Sequence, residues 1–414
     1  MLDDKKIRTM VESALNERNP KRILMVVPDY TRFFSNSGLI ANIVYHWCVA
    51  HDADVQILEA LGTHVPMSGE EITSMYGDIP HSLFHTHDWR HDVVKIGEVP
   101  ASFVSEVTEG LWTDGVAVEI NRMVEDPKLD LIISIGQVVP HEVIGMANHS
   151  KNLFVGVGGS DMINQSHMIG AVYGMERMMG RDHTPVRRIF DYAAEHFLSD
   201  RSILYMLTVT TAPGGDIQTH GLFIGEGRKP LEDAVALAQK TNIDFVPHGI
   251  KKCVVYLDPK EFHSTWLGNK AVYRTRMAMA DGGELIVLAP GVEKFGEDKE
   301  NDVLIRKYGY RGRLHTLELL KENKDLADNM SVAAHLIHGS SDDRFSITYA
   351  VNKISEEEIR NVGFNSASYD EMVKIYDPEK LEMGYNNLDG EEVFFIPNPA
   401  LGLWINREKF EKTN

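Results

Sequence analysis

Two cysteines in 414 residues, Cys48 and Cys253, stand far apart and outside any Cys-x-x-Cys spacing. That excludes a disulfide framework and a thiolate zinc cluster, and a reducing cytoplasm is the expected compartment. Basic residues are also scarce. Against 61 Asp and Glu there are 42 Lys and Arg, a net charge of −19. No basic face is left for a general nucleic-acid partner, although one site can still be locally basic for a small anion. No apolar run reaches the roughly 18 residues that a membrane-spanning helix needs, so no membrane partner is expected. The opening MLDDKKIRTMVESALNERNP reads as a charged amphipathic helix, not a secretory leader. A Walker A lysine loop, a Gly-x-Ser-x-Gly elbow, internal repeats and low-complexity tracts are all missing.

What is present is ordinary for a globular chain: 43% hydrophobic and 25% charged residues, with length enough for two or three domains. Apolar runs at 22–27, 55–61, 131–135 and 153–157 read as buried strands, with a helix over 39–50. Strand, helix, strand in that order predicts parallel βαβ units. Ligands bind such sheets at the carboxyl ends of the strands. Strands at 205–211 and 220–224 flank a Gly-Gly-Asp turn, and Pro230 opens a helix to about Lys240. The weakly periodic 241–252 reads as a joint. A strand at 253–257, a helix at 269–280 and a strand at 284–289 then restart the pattern. The expected fold is α/β, with two domains of mainly parallel sheet and the active site in the cleft between them. Residues 1–245 would bind cofactor and carry catalysis, and 246–414 would close the cleft.

The densest chemistry lies in PHEVIGMANHSKNLFVGVGGSDMINQSH, residues 140–167. His141, Lys151 and His167 offer a base, a nucleophile and a metal ligand on a backbone rich in small residues. Two strand-end loops add to them. Asp29-Tyr30-Thr31-Arg32 can hold an anion, the guanidinium gripping it and the carboxylate fixing its pose. Gly62-Thr63-His64-Val65-Pro66 brings a histidine to the same edge, able to give and take protons near neutrality. Other patterns fail on inspection. HSLFHTHDWRH (81–91) offers histidines at helical spacing, yet Phe84 and Trp89 and the strand that follows favour a turn with one structural histidine. His141-Glu142 starts like a zincin helix, but glycine stands where the second histidine belongs. Gly156-Val157-Gly158-Gly159-Ser160-Asp161 lacks the last glycine of a dinucleotide loop.

Taken together, the Asp29–Arg32 loop, Gly62-Thr63-His64-x-Pro66, Pro140-His141, Lys151 and His167 resemble, in order and spacing, the nickel-dependent lactate racemase family, as does the GVEKFGEDKEND…KYGYRG segment. The resemblance covers most of the chain. It implies a nickel-pincer nucleotide, pyridinium-3,5-bisthiocarboxylic acid mononucleotide, joined covalently to Lys151. His167 would be the one protein ligand to nickel. Imidazole suits Ni(II) in a square-planar site, and a desolvated lysine is neutral and nucleophilic. The family reaction inverts C2 of a 2-hydroxy acid by reversible hydride transfer to the cofactor. His64 and His141 would act as the two acid/base groups. Asp29 and Arg32 would help hold the cofactor, with Arg32 also clamping the substrate anion and Lys294 a second candidate for its carboxylate. Cofactor biosynthesis proteins are implied as partners.

One departure concerns substrate. The family usually has Ser-Gly-Gly before the lysine, where this chain has Met146-Ala147-Asn148-His149-Ser150. His149 and Asn148 either cap a turn or offer hydrogen bonds to a polar substrate. The second reading leans to a sugar acid or other polar 2-hydroxy acid over lactate. Two readings from other classes remain: an NAD-dependent oxidoreductase using the Gly156 loop, and a non-catalytic protein that binds the nickel cofactor.

Overall fold

The strand Arg22–Pro28 is apolar along its whole inner length because it is covered on both faces. It pairs in parallel with Asp54–Ala60 on one side and Leu131–Gln137 on the other. The full sheet runs Gln218–Gly225, Ile203–Thr211, Leu131–Gln137, Arg22–Pro28, Asp54–Ala60, Phe84–His85. Only the first pair is antiparallel, the hairpin expected around the Gly-Gly-Asp turn. The chain leaves the central strand first to one side and later to the other, so a topological switch point lies beside Pro28.

In this computed structural model, residues 1–412 are described. They form two compact units. The first comprises Met1–Ile169 and Met178–Asn242, the second Gly170–Arg177 and Ile243–Asn414. Both are α/β with mainly parallel sheets. In the first, Asp4–Arg18 and Ser37–Ala50 cover one sheet face with Ile7, Val11, Leu15, Ile40 and Val44 against Ile23, Met25 and Val27. Burying each such side chain contributes on the order of 2 kcal/mol.

The second unit carries its own sheet, ordered Asn365–Ser368, Phe345–Val351, Met279–Leu288, Ile250–Tyr256, Glu391–Ile396, Gly384–Leu388. Only the last pair is antiparallel. The helix expected over 269–280 is shorter and broken. Thr265–Gly268 and Lys270–Thr275 are separate helices. Thr275 Oγ1 donates back to Ala271 O at 2.6 Å, and Ala278 N closes a turn on Thr275 O at 2.7 Å. The chain is thereby turned into the strand that starts at Met279.

The strand expected at 153–157 does not exist. Asn152–Gly156 is a π-helical turn, closed by Val157 N donating to Asn152 O at 2.9 Å. Leu153, Phe154 and Val155 are buried on every side, and a short apolar run of that kind fits a strand and a helical turn equally. The neighbouring strands decide it: Leu131–Gln137 and Ile203–Thr211 pair directly and leave no slot between them. Among the described residues no helix is long and apolar enough to cross a membrane.

Candidate active site

Three parallel strands of the first unit end on one sheet edge, and each delivers a side chain there. Pro28 leads to Asp29, Ala60 to His64, and Gln137 to His141. Asp29 caps the 3-10 turn Tyr30–Ser35, its Oδ1 accepting from Thr31 N at 2.9 Å and from the Thr31 hydroxyl. Its other oxygen accepts from His64 Nδ1 at 2.6 Å. Burial works to raise the Asp29 carboxyl, but His64 and Thr31 bring it below the usual carboxylate range. An ionised Asp29 fixes the His64 proton on Nδ1 and leaves Nε2 as the open, basic atom.

Asp29 therefore serves Thr31 and the His64 ring, and does not share in an anion grip with Arg32. The Arg32 guanidinium makes no hydrogen bond or ion pair among the described residues, and its charge reaches Lys151 and His141, holding both towards their neutral forms. A guanidinium in that state is ready for an anion.

His141 is buried, and Val143 N donates to its Nδ1 at 3.1 Å. The neutral ring then carries its hydrogen on Nε2. Burial, with the charges of Lys151 and Arg32 acting against Glu142, pushes its pKa well below the ordinary value. Lys151 precedes the π-turn. Burial, then the Arg32 charge, lowers its amine to about 8, against Glu142 and Asp29. At His167, on the helix Ser160–Tyr173, Nδ1 donates to Ile163 O at 2.6 Å. That bond leaves Nε2 as the lone pair available to a metal. His167 in turn senses Lys151, Glu142 and His64. His64, Arg32, His141, Lys151 and His167 are thus one electrostatically linked cluster.

The residues fit the implied cofactor on two counts. Lys151 has an amine whose pKa, lowered to about 8, gives it a substantial neutral fraction far below the range of an ordinary lysine, and it makes no hydrogen bond or ion pair among the described residues. His167 offers one imidazole nitrogen with the tautomer already set. A site with a single protein ligand does not require a cluster of three ligating side chains, and none occurs among the described residues.

His149 corrects a sequence reading. Its ring is 4% exposed, stacks on Tyr205 at 3.7 Å between centroids, and donates from Nε2 to Gly227 O at 2.8 Å. Nδ1 faces Ser150 Oγ at 3.4 Å. Both nitrogens are engaged within the protein, so the ring is not offered to a substrate. Asn148 and His149 instead shape a turn, with φ of 67° and 61°. This is the backbone that glycines adopt freely. Lys294 lies in the second unit and donates to Glu297 O at 2.9 Å.

Other residues escaped sequence reasoning. Glu59, 2% exposed at the end of its strand, has its carboxyl raised to about 6 by burial. Among the described residues its carboxylate accepts only from Met67 N, at 3.4 Å, across the base of the His64 loop. Arg187 is fully buried and bonds the segment before Lys151. Its one sequence signal is a charge among the core-facing Val186, Ile189 and Phe190 of the helix Pro185–Phe197. In the histidine-rich 81–91 segment, His87 is the structural one. It is buried, donates to Gly158 O at 3.0 Å and accepts from Asn121.

Residues 5–179 match the family model of the lactate racemase N-terminal domain. The chain is 25% identical over 236 residues to the lactate racemase of Lactiplantibacillus plantarum, a match that takes in 55% of this chain and 49% of the relative. It thus spans about half the length of that curated relative. Two solved structures share the fold across the chain. A Thermotoga maritima protein aligns at a TM-score of 0.79 with 24% identity, covering 97% of this chain and 98% of its own. The lactate racemase apoprotein of Thermoanaerobacterium thermosaccharolyticum aligns at 0.71 with 16% identity, covering 96% and 92%.

Proposed function

We propose that this lactate racemase-like chain is an isomerase that inverts C2 of a 2-hydroxy acid. The observation that carries the reading is the linked cluster at one sheet edge, where an Asp29-supported His64 and a buried His141 stand with the Lys151 amine. Lys151 is the attachment point of a nickel-pincer nucleotide, and His167 is its protein ligand. Bound, that group supplies a hydride acceptor for the C2 hydrogen. Everything else falls to the chain's own side chains.

Oxidising C2 requires that the hydroxyl proton leave as the hydride leaves. His64 is set to accept it at Nε2, because Nδ1 is tied to Asp29. His141 begins in the opposite state, with hydrogen on Nε2. His64 can take the hydroxyl proton and return it when the hydride comes back, while the neutral His141 holds the C2 oxygen through its Nε2 hydrogen. Arg32 holds the substrate carboxylate. Lys294, in the second unit, is a further candidate for that anion. His149 is engaged by Tyr205 and Gly227 and gives a polar substrate no hydrogen bond, so the substrate is a 2-hydroxy acid whose class alone the site defines.

An NAD-dependent reading of the Gly156 loop meets a packing objection. No strand precedes these glycines, as a dinucleotide fingerprint requires. A Cβ on Gly158 would lie 1.9 Å from Phe154 O, and one on Gly159 2.2 Å from Glu119 Oε2. Close protein packing already accounts for both glycines. A carrier without catalysis would need no Asp29–His64 pair.

The test is intact mass and metal content of the chain made together with cofactor synthesis enzymes, alongside chiral assay of 2-hydroxy acids. The expected result is a mass adduct lost in Lys151→Ala, about one nickel per chain, and interconversion of enantiomers. No adduct and no nickel would overturn the proposal.

A further inference from the structure

Two successive non-glycine residues in the left-handed region, Asn148 and His149, persist only where their surroundings over-determine them. Three supports converge here. Arg187 donates to Met146 O at 2.7 Å, to Asn148 O at 3.1 Å and to Ser150 Oγ at 3.0 Å. His149 is held by its stack on Tyr205 and its bond to Gly227 O. Asn148 Oδ1 accepts from His149 N at 2.7 Å, and its amide fits only because Gly136 has no side chain; a Cβ there would lie 1.7 Å from Nδ2. Among the described residues Arg187 makes no hydrogen bond or ion pair to a carboxylate. The nearby Asp182 and Asp191 are taken by Arg228. A buried guanidinium is thus devoted to one short segment, and that segment separates His141 from Lys151.

We propose that Arg187, His149 and Tyr205 form a positioning clamp that holds the strained turn at 148–149 and so aims the Lys151 amine. If either residue of the turn relaxed to the right-handed region, the chain would swing just before Lys151. The inference rests on the reading of Lys151 as the attachment point. It assigns His149 a role in loading the protein, not in choosing its substrate.

The test compares His149→Ala, His149→Gly and Arg187→Gln in the full chain. One readout is the fraction carrying the cofactor adduct after production with cofactor synthesis enzymes, by intact mass. The other needs no cofactor: trace acetylation of Lys151 by acetic anhydride, with the exposed Lys324 as internal reference. His149→Ala should lower both by at least about fivefold, the penalty of one unsupported left-handed residue. Arg187→Gln should do the same. His149→Gly, which adopts that backbone without support, should return both to within about twofold of the parent. Equal losses for His149→Ala and His149→Gly would overturn the clamp and assign the ring a direct contact. So would parental behaviour of all three variants. If Arg187→Gln fails to fold, the His149 pair decides alone. If the parent shows no adduct while the acetylation pattern holds, the attachment reading falls and the clamp stands.

Discussion

Asp29 Oδ2 lies 2.6 Å from His64 Nδ1, joining the ends of two adjacent parallel strands. The bond sets the tautomer of a histidine whose side chain is half exposed. Asp29→Asn keeps the shape but removes the charge that holds the proton on Nδ1. Racemisation should fall by about 10²–10⁴-fold, with little change in folding. A loss under threefold, measured by chiral chromatography, would remove Asp29 from the mechanism.

His141 and His64 start in opposite states, so their substitutions should differ. Glutamine keeps a donor near the place of His141 Nε2. His141→Gln should retain about tenfold more activity than His141→Ala, whereas His64→Gln and His64→Ala should be equally inactive. Equal losses at both positions would make His141 a base of the same kind as His64.

Lys151 gives a pH dependence with a definite sign. Its folded pKa, about 8, is below the ordinary 10.5. Between those values the unfolded chain binds more protons, so stability rises with pH across that window, and below it the full burden of burying the charge remains. Lys151→Met should therefore stabilise the unloaded chain at pH 7 by about 1 kcal/mol, discounted for solvent at its open side. The gain should fade towards pH 10.5. A constant difference across that range in denaturant titrations would contradict the shift.

In the second unit, Glu176 pairs with the buried Arg276 at 2.7 Å and with Arg344 at 2.9 Å. Burial alone would raise its carboxyl, but the two guanidinium groups bring it to about 2. Its folded pKa lies below the unfolded one, so the stability it confers is present above pH 4.5 and lost as pH falls towards 2. Glu176→Gln should cost about 2–4 kcal/mol at pH 7 and flatten the acid limb of the stability curve. An unchanged acid limb would show that other carboxylates set it.

Much of this architecture was legible from the chain. The sheet strands at 22–27, 55–61 and 131–135 and the helix from Pro230 follow from apolar runs bounded by breakers. That Asp29, His64 and His141 come to one edge was legible for the same reason, since parallel strands bring their carboxyl ends together. The π-turn at Asn152–Gly156 was not, because a run buried on all sides carries no period. Nor was the partner of Asp29, because a strand end fixes a side chain's edge and not its hydrogen bonds.

Sequence alone put His64, His141, Lys151 and His167 forward as candidates for the site, by residue type and spacing. Tertiary structure decided what each can do there. His64 is basic at Nε2 because Asp29 binds Nδ1, and His141 is a donor because Val143 N occupies its other nitrogen. His149, legible only as a spare hydrogen-bonding group, is locked between Tyr205 and Gly227. Proton position, charge state and backbone strain depend on neighbours that are distant along the chain, and only the fold brings those neighbours together.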